Sequence, residues 1–255
     1  MVISCLAIAV SSARAESDDG GGPKASAGSA AKAAKSPITG GFDLMSQYVQ
    51  RGMTADPDSE GVALQPYLNI ALPWGFFVGY WGSSLDPSPT GGPTPFENDL
   101  SLGWALDLGE AELRLGATGY ATLGHASSNV AESAVELRVF PNVAGADLGA
   151  LQFAARTMLG DSDWSHVGDT YLLLRLETPA WLGFSLTTDV GWHGYATGPR
   201  HLTTEKFAFR NVDLGAAYQV PGTGYRLLGA WTYGGVDRVG KHQPQALTWG
   251  AGWEF

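Results

Sequence analysis

The feature that most constrains the fold of this chain is an alternation of apolar and polar residues that recurs from about residue 38 to the end. Between residues 99 and 108, leucine or tryptophan occupies every even position and Asp, Ser, Gly or Ala every odd one. A period of two is typical of a β-strand with one apolar face. The twelve predicted strands are residues 38–49, 62–72, 76–85, 99–108, 112–123, 133–140, 150–159, 169–177, 184–194, 207–220, 225–234 and 245–255.

The predicted connections alternate in length as regularly as the residues alternate in polarity. Short ones span 73–75, 109–111, 141–149, 178–183 and 221–224, and longer ones 50–61, 86–98, 124–132, 160–168, 195–206 and 235–244. Most strands are near the roughly 9 to 11 residues that a tilted strand needs to cross a bilayer. The sequence therefore predicts an all-β, transmembrane, antiparallel up-and-down barrel of about twelve strands, with short periplasmic turns and longer extracellular loops.

Charged residues supply an independent test, because a lipid-facing Arg or Lys at the bilayer midplane costs roughly 2 to 4 kcal/mol. Nearly every charge within the predicted strands falls on the side opposite the apolar residues, and Arg210 is the exception. The proposed interior holds ten acids and five arginines, a net of about −5, which no dry core could accommodate. The candidate pore-lining residues are Arg114, Arg138, Arg156, Arg175, Arg226, Asp99, Asp189, His193 and Asp213.

Two interpretations of this interior remain open. Eight strands leave a barrel filled by side chains and sixteen leave an open channel, so twelve is intermediate. In the first, four arginines on successive strands, at positions 114, 138, 156 and 175, face acids across a narrow, mildly cation-selective pore for small polar solutes or ions. In the second, the pairs Glu112–Arg114, Glu136–Arg138 and Arg175–Glu177 neutralise one another and plug the barrel.

A closed barrel predicts a different class of function, that of an anchor or scaffold. Its loops or its Ala-rich tail would then bind periplasmic or surface partners. Replacing Arg138 and Arg156 with Ala separates the two classes, because only a pore would change its ion selectivity.

The first 37 residues are predicted to lie outside the barrel. Residues 1–15 have an apolar run from Ile3 to Val10 and end in an A-x-A pattern, so we expect a signal peptide cleaved after Ala15, although a basic start is missing. The single cysteine, Cys5, falls within it, which is consistent with an exported chain. Residues 16–37 read as a flexible low-complexity linker, and residues 38–255 as the outer-membrane barrel domain.

Composition and motifs argue against several other functions. Acids outnumber Lys and Arg 25 to 15, and this excess repels a nucleic-acid backbone. His125, His166, His201 and His242 are dispersed over four loops without metal-ligand spacing, so no metal, cofactor or catalytic site is predicted. His125 and its neighbouring serines match the His and Ser of outer-membrane phospholipases only weakly, which makes a hydrolase the most distant alternative.

A family resemblance is carried by the segments Tyr48–Thr54, Gly61–Gln65 and Gly75–Asp86. These resemble the TorF-type porin family, in which a Tyr-x-x-Arg-Gly stretch closes the first strand and a Gly-Phe-Tyr-x-Gly-x-Trp-x-Ser run forms the third. The resemblance implies an outer-membrane barrel with porin function and transfers no substrate or catalytic residue. Tyr48, Arg51 and Gly52 keep the motif, either as a corner where Arg51 pairs with a rim carboxylate or as part of the pore.

The end of the chain also resembles an outer-membrane protein. Its outward row runs Leu247, Trp249, Ala251, Trp253 and Phe255. A terminal Phe on an amphipathic last strand is similar to the assembly signal of Gram-negative outer-membrane proteins. We therefore expect outer-membrane lipid and the barrel-assembly machinery to be partners, the latter through the strand ending at Phe255.

Overall fold

A computed structural model describes residues 37–54, 61–85, 95–124, 126–143, 146–198 and 202–255. Within these residues twelve antiparallel strands form a closed barrel in which each strand pairs with its neighbours in sequence. The predicted fold is confirmed. The strands are β1 (Ile38–Met45), β2 (Ala63–Ala71), β3 (Phe76–Ser84), β4 (Phe96–Asp107), β5 (Ala111–Thr122), β6 (Val130–Val139), β7 (Ala150–Met158), β8 (Thr170–Glu177), β9 (Phe184–Gly194), β10 (Phe207–Gln219), β11 (Tyr225–Gly234) and β12 (Ala246–Glu254).

The alternation in sequence becomes an inside and an outside in three dimensions. On β4 the side chains of Leu100 and Leu102 are 57% and 61% exposed, whereas Asp99 and Ser101 are 0% and 3% exposed. Since successive side chains on a strand point to opposite faces, the apolar row covers the outer wall and the polar row fills the interior. The barrel is thus inverted relative to a soluble one.

The barrel closes where the last strand meets the first. β12 pairs with β1 in a ladder that places Gly41 opposite Glu254 and Asp43 opposite Gly252. Glycine is required here, because a Cβ on Gly41 would lie 2.1 Å from the carbonyl oxygen of Trp253. We call this ladder the seam.

Tight turns join the strands at one end of the barrel, which we call the short-turn end. A 3₁₀ turn at Pro73–Gly75 links β2 to β3, and the φ angles of Trp74 and Gly75 are 60° and 83°. A two-stranded ribbon of Asn142–Val143 and Ala146–Asp147 lies between β6 and β7. The second 3₁₀ turn, Ala126–Ser128, precedes β6 at the other end. Among the described residues, no helix has the length and hydropathy to cross a membrane.

The first strand is shorter than predicted. β1 ends at Met45 rather than at residue 49, and the chain then forms a small hairpin in which Val49–Gln50 pairs with Met53–Thr54. The two residues at its tip, Arg51 and Gly52, have φ angles of 43° and 75°, as a type I′ turn requires. We call residues 48–54 the inner hairpin, because the side chains of Tyr48, Gln50 and Arg51 are buried inside the barrel.

Arg210 was the one strand charge expected on the outer face, and its side chain is buried inside the barrel instead. The ladder between β9 and β10 pairs Gly191 with Asn211 and Trp192 with Phe209, so Arg210 is an extra residue in a β-bulge. A bulge lets two consecutive side chains point the same way, and both Arg210 and Asn211 are buried inside. The expectation that Arg210 faces outward was therefore wrong, since strict alternation does not anticipate a bulge.

The expected signal peptide (1–15) and most of the expected linker (16–37) lie outside the described residues, as do His125 and His201. The twelve strands of the barrel lie between Ile38 and Glu254, and the boundaries of the expected domains stay predictions.

Candidate functional site

A cavity of about 350 Å³ lies in the short-turn half of the barrel interior. We call it the vestibule. One wall carries charges from β5, β6 and β8 together with the amide of Gln152 from β7, and the facing wall from β10 and β11 is uncharged apart from Arg226. The lining residues are Met45, Glu112, Arg114, Glu136, Arg138, Gln152, Arg175, Glu177, Ser185, Thr187, Gly215, Ala216, Ala217, Arg226, Leu228, Gly229 and Ala230.

Ion pairs on the charged wall join residues within that wall rather than on opposite sides of the barrel. Arg175 binds Asp189 with two hydrogen bonds, from Nε at 2.7 Å and from Nη2 at 2.6 Å. Arg114 donates through Nε to Glu112 on its own strand. The predicted pair Glu112–Arg114 is therefore present, and Arg175 selects Asp189 instead of Glu177.

Arg138 also pairs with an acid on another strand. Its Nη2 donates to Glu177 on β8 at 2.6 Å, across the intervening strand β7. The expected partner, Glu136, instead binds Arg156 and Gln152. Strand tilt in a barrel brings side chains two strands apart to the same level, and the one-dimensional pattern does not contain this offset.

Arg226 forms an ion-pair cluster at the seam. Its guanidinium donates to Asp43 on β1, at 2.9 to 3.1 Å, and to Glu254 on β12 at 3.2 Å. The same group lies 5.3 Å from the ring centroid of Tyr67 on β2. Arg226 thus connects three strands where the barrel closes.

Above the vestibule the interior narrows around Arg156. A small cavity of about 30 Å³ lies there, and Arg114, Glu136 and Arg156 line it. Arg156 bonds to Glu136 and lies 3.7 Å from Glu132.

The inner hairpin occupies the interior beyond Arg156, toward the longer loops. Arg51 Nη2 donates to both carboxylate oxygens of Glu132, at 3.0 and 2.8 Å, and its Cζ lies 4.4 Å from the ring centroid of Tyr171. Glu132 also accepts a hydrogen bond from Tyr120 at 2.9 Å. Because β6 is five strands from β1 around the barrel, the hairpin reaches across the lumen to the longer-loop end of β6.

Contacts with β10 hold the other side of the inner hairpin. Arg210 Nε donates to the carbonyl oxygen of Arg51 at 2.9 Å. A Cβ on Gly52 would lie 2.6 Å from the Cβ of Asn211 and 2.7 Å from the carbonyl oxygen of Arg210. The bulge thus presents two consecutive residues, Arg210 and Asn211, to the hairpin tip.

Two acids lie buried near the start of the hairpin. Tyr48 packs on Trp81, with ring centroids 5.3 Å apart. On β4, Glu97 and Asp99 point inward with 1% and 0% exposure, and Asp99 is cross-strand to Trp81. The sequence pattern identified Asp99 as an interior residue but not Glu97 or Glu132. The predicted strands began at residues 99 and 133, so both glutamates were assigned to loops.

A further ion pair joins the longer loops. Arg238 binds Asp169, and its Cζ lies 5.2 Å from the ring centroid of Tyr195. Asp169 also accepts hydrogen bonds from the backbone N–H groups of His166 and Ala196, at 2.8 and 2.7 Å. Burial raises the pKa of the Tyr195 phenol above its usual value of 10.0. These contacts tie three loops together over the barrel mouth.

Two other predicted residues line the interior without an ion pair among the described residues. His193 stacks on Tyr195, with ring centroids 4.3 Å apart, and its Nε2 is buried without a hydrogen-bond partner in that part of the chain. Asp213 accepts a hydrogen bond from Asn211 at 2.7 Å. Within the same residues, no three His, Cys, Asp or Glu side chains converge on a position suited to a metal ion.

The comparison with solved structures gives the same architecture. The KdgM porin matches with a TM-score of 0.55 at 8% identity, over 85% of this chain and 98% of the porin. The outer membrane protein OprD from Pseudomonas aeruginosa matches with a TM-score of 0.41 at 12% identity, over 86% of this chain and 64% of OprD. At this identity the KdgM likeness establishes the fold alone. The curated proteins gave no significant match.

A family model covers most of the chain. Its description reads "Bacterial protein of unknown function (Gcw_chp)", and it matches residues 29–247. This description does not mention TorF-type porins, so the resemblance seen in the sequence stays a prediction.

Proposed function

Because the chain belongs to the Gcw_chp family of bacterial proteins of unknown function, we propose its function from its geometry: a non-enzymatic outer-membrane pore for small polar solutes or ions. The observation that carries this proposal is the charge-lined vestibule inside a closed barrel with an apolar outer wall. The KdgM protein, which has the same fold, is described as a porin, and this supports the proposal.

The outer wall supports insertion into a bilayer. Apolar side chains that are exposed along the strands include Leu102, Val135, Phe153, Leu172, Leu214, Leu227 and Leu247. Lipid would cover a surface of this kind, which in water would be an aggregation hazard. Export by a signal peptide at residues 1–15, and assembly through the strand that ends at Phe255, are parts of the same proposal.

The acid surplus of the interior supports a mild preference for cations. Arg51, Arg210 and Arg238 add to the predicted arginines, and Glu97 and Glu132 add to the predicted acids, so acids still outnumber arginines. Fixed charge in a narrow lumen attracts counter-ions and repels ions of the same sign. Arg138 and Arg156 lie on this path, next to the two cavities.

The inner hairpin favours a second candidate, a closed barrel that serves as an anchor or scaffold. None of the described side chains of the hairpin lines the vestibule, which draws on the short-turn half of most strands. Its buried contacts with Glu132 and Arg210 obstruct the path toward the longer loops. A pore of this design conducts only through the gaps that remain or when the hairpin moves.

Single-channel recording separates the two candidates. The full chain is refolded, checked by a heat-dependent gel shift, and inserted into a planar bilayer across a salt gradient. A pore gives discrete current steps with a cation-selective reversal potential, and Arg138→Ala and Arg156→Ala shift that potential, whereas Lys241→Ala in an exposed loop does not. A folded protein without current contradicts the pore and favours the anchor.

A further inference from the structure

Two arginines of the vestibule, Arg114 and Arg138, keep most of their hydrogen-bonding capacity unused. A guanidinium carries five N–H donors. Among the described residues Arg114 bonds only through Nε, to Glu112, and Arg138 only through Nη2, to Glu177. Arg138 Nε is buried and has no hydrogen-bond partner in that part of the chain. By contrast, Arg226 uses all three of its nitrogens on Asp43 and Glu254.

The two side chains are placed to act together. Glu112 pairs across the ladder with Arg138, and Arg114 with Glu136, so the two arginines are diagonal neighbours on adjacent strands. Diagonal positions are about 7 to 8 Å apart at Cα, and both guanidinium groups can reach a single oxyanion between them. Both residues line the vestibule.

The charge of the vestibule lining and the apolar character of its facing wall indicate which class of ligand fits. Four arginines and three glutamates line the vestibule, so its lining carries a positive excess although the interior as a whole is acidic. Facing these arginines are small or apolar residues, among them Gly215, Leu228 and Ala230. A ligand that complements both walls has one carboxylate and an uncharged, largely apolar body.

We infer that the vestibule is a binding site for small organic carboxylates, whose carboxylate accepts hydrogen bonds from Arg114 and Arg138. Charge-assisted bonds from Arg to a carboxylate are the stronger class of protein hydrogen bond. The inference names a ligand class for the vestibule alone, whose lining differs in charge from the acidic interior that favours cations, and it rests on the proposed function for its physiological meaning. Binding at this site does not require ions to pass through the whole barrel, because the vestibule lies in the short-turn half.

The test compares three probes that share one apolar body and differ in charge: hexanoate, hexanamide and hexylammonium. Binding to the full chain, refolded in detergent micelles, is measured by isothermal titration calorimetry. We expect hexanoate to bind at least tenfold more tightly than either other probe. Equal affinities for hexanoate and hexanamide would mean simple apolar partitioning and would overturn the inference.

Variants locate the site. Arg114→Gln with Arg138→Gln should weaken hexanoate binding at least tenfold, whereas Lys241→Gln, which removes a positive charge from an exposed loop outside the vestibule, should change it less than threefold. An unchanged affinity in the double variant, once its gel shift proves it folded, contradicts the site. If the double variant does not fold, the charge series on the unmodified chain still decides. Binding without current, or current without binding, shows which of the two proposals has failed.

Discussion

Arg51 and Glu132 are 81 positions apart in sequence, yet the guanidinium of one donates to both carboxylate oxygens of the other inside the barrel. The pair fixes the inner hairpin against β6, with side chains that are 6% and 1% exposed. Because an ion pair removed from water is stable only when both partners remain, the position of the hairpin depends on each of them.

We predict that Glu132→Gln destabilises the barrel by about 3 to 5 kcal/mol, since it leaves the buried charge of Arg51 uncompensated. Urea unfolding in phospholipid vesicles measures this change. If the hairpin obstructs the lumen, the same variant should also raise the conductance. Glu112→Gln removes the partner of Arg114 in the more open vestibule and should cost less than about 1 kcal/mol. Equal costs for the two variants would refute the role given to Arg51.

Gly52→Ala should cost about 2 kcal/mol more than Gly124→Ala. Both glycines have positive φ angles, of 75° and 86°, so both variants carry the left-handed strain of about 1 to 2 kcal/mol. A Cβ at position 52 would also collide with Asn211 and Arg210, whereas at position 124 nothing lies within 4 Å. Overpacking of this kind costs about 1 to 3 kcal/mol. Matching urea midpoints for the two variants would argue against a packed hairpin tip.

Leu102→Arg tests the outer wall. The side chain lies near the middle of β4 and is 61% exposed, so in a bilayer the variant should lose about 2 to 4 kcal/mol. Leu202→Arg places the same charge on an exposed loop residue and should have little effect. Unfolding of both variants from phospholipid vesicles provides the comparison, and equal stability would show that β4 does not face lipid.

Because the phenol of Tyr195 is buried, we predict that the barrel loses stability at alkaline pH. Burial raises its pKa in the folded state, so its contribution is complete below pH 10.0, the ordinary value, and is lost as the pH rises through the raised pKa. Tyr195→Phe should unfold more easily at pH 8, because the hydrogen bond to Val236 is lost, and should show a smaller decrease between pH 8 and 11. Tyr225→Phe, at an exposed tyrosine, is the control. A decrease as steep as that of the unmodified chain would exclude Tyr195 as its source.

Much of the barrel could be predicted because lipid and an aqueous interior impose a period of two on every strand. The predicted strands agree closely with those observed, and the largest differences arise where local structure breaks the period. Arg210 lies in a bulge, and the chain leaves β1 at Met45 to form the inner hairpin. Glu97 and Glu132 lie at strand ends, where the outward residues no longer form a clear apolar row.

The partners of the interior charges were harder to predict than their orientation. Alternation indicates which side chains point inward, and it placed Arg138 and Arg175 there. The choice of Glu177 by Arg138 and of Asp189 by Arg175 depends on the tilt and register of neighbouring strands. Arg51 illustrates the limit most clearly, because its motif identified the residue while its partner lies five strands away.

The seam has a consequence for biogenesis. Its ladder joins Gly41 to Glu254, residues at opposite ends of the barrel sequence, so ring closure is the step of greatest contact order and awaits synthesis of β12. Until then β1 and the growing end present unpaired backbone edges, which are templates for aggregation. A chain that ends before residue 246 therefore cannot form this ladder, and we expect it to need a factor that shields the unpaired edges.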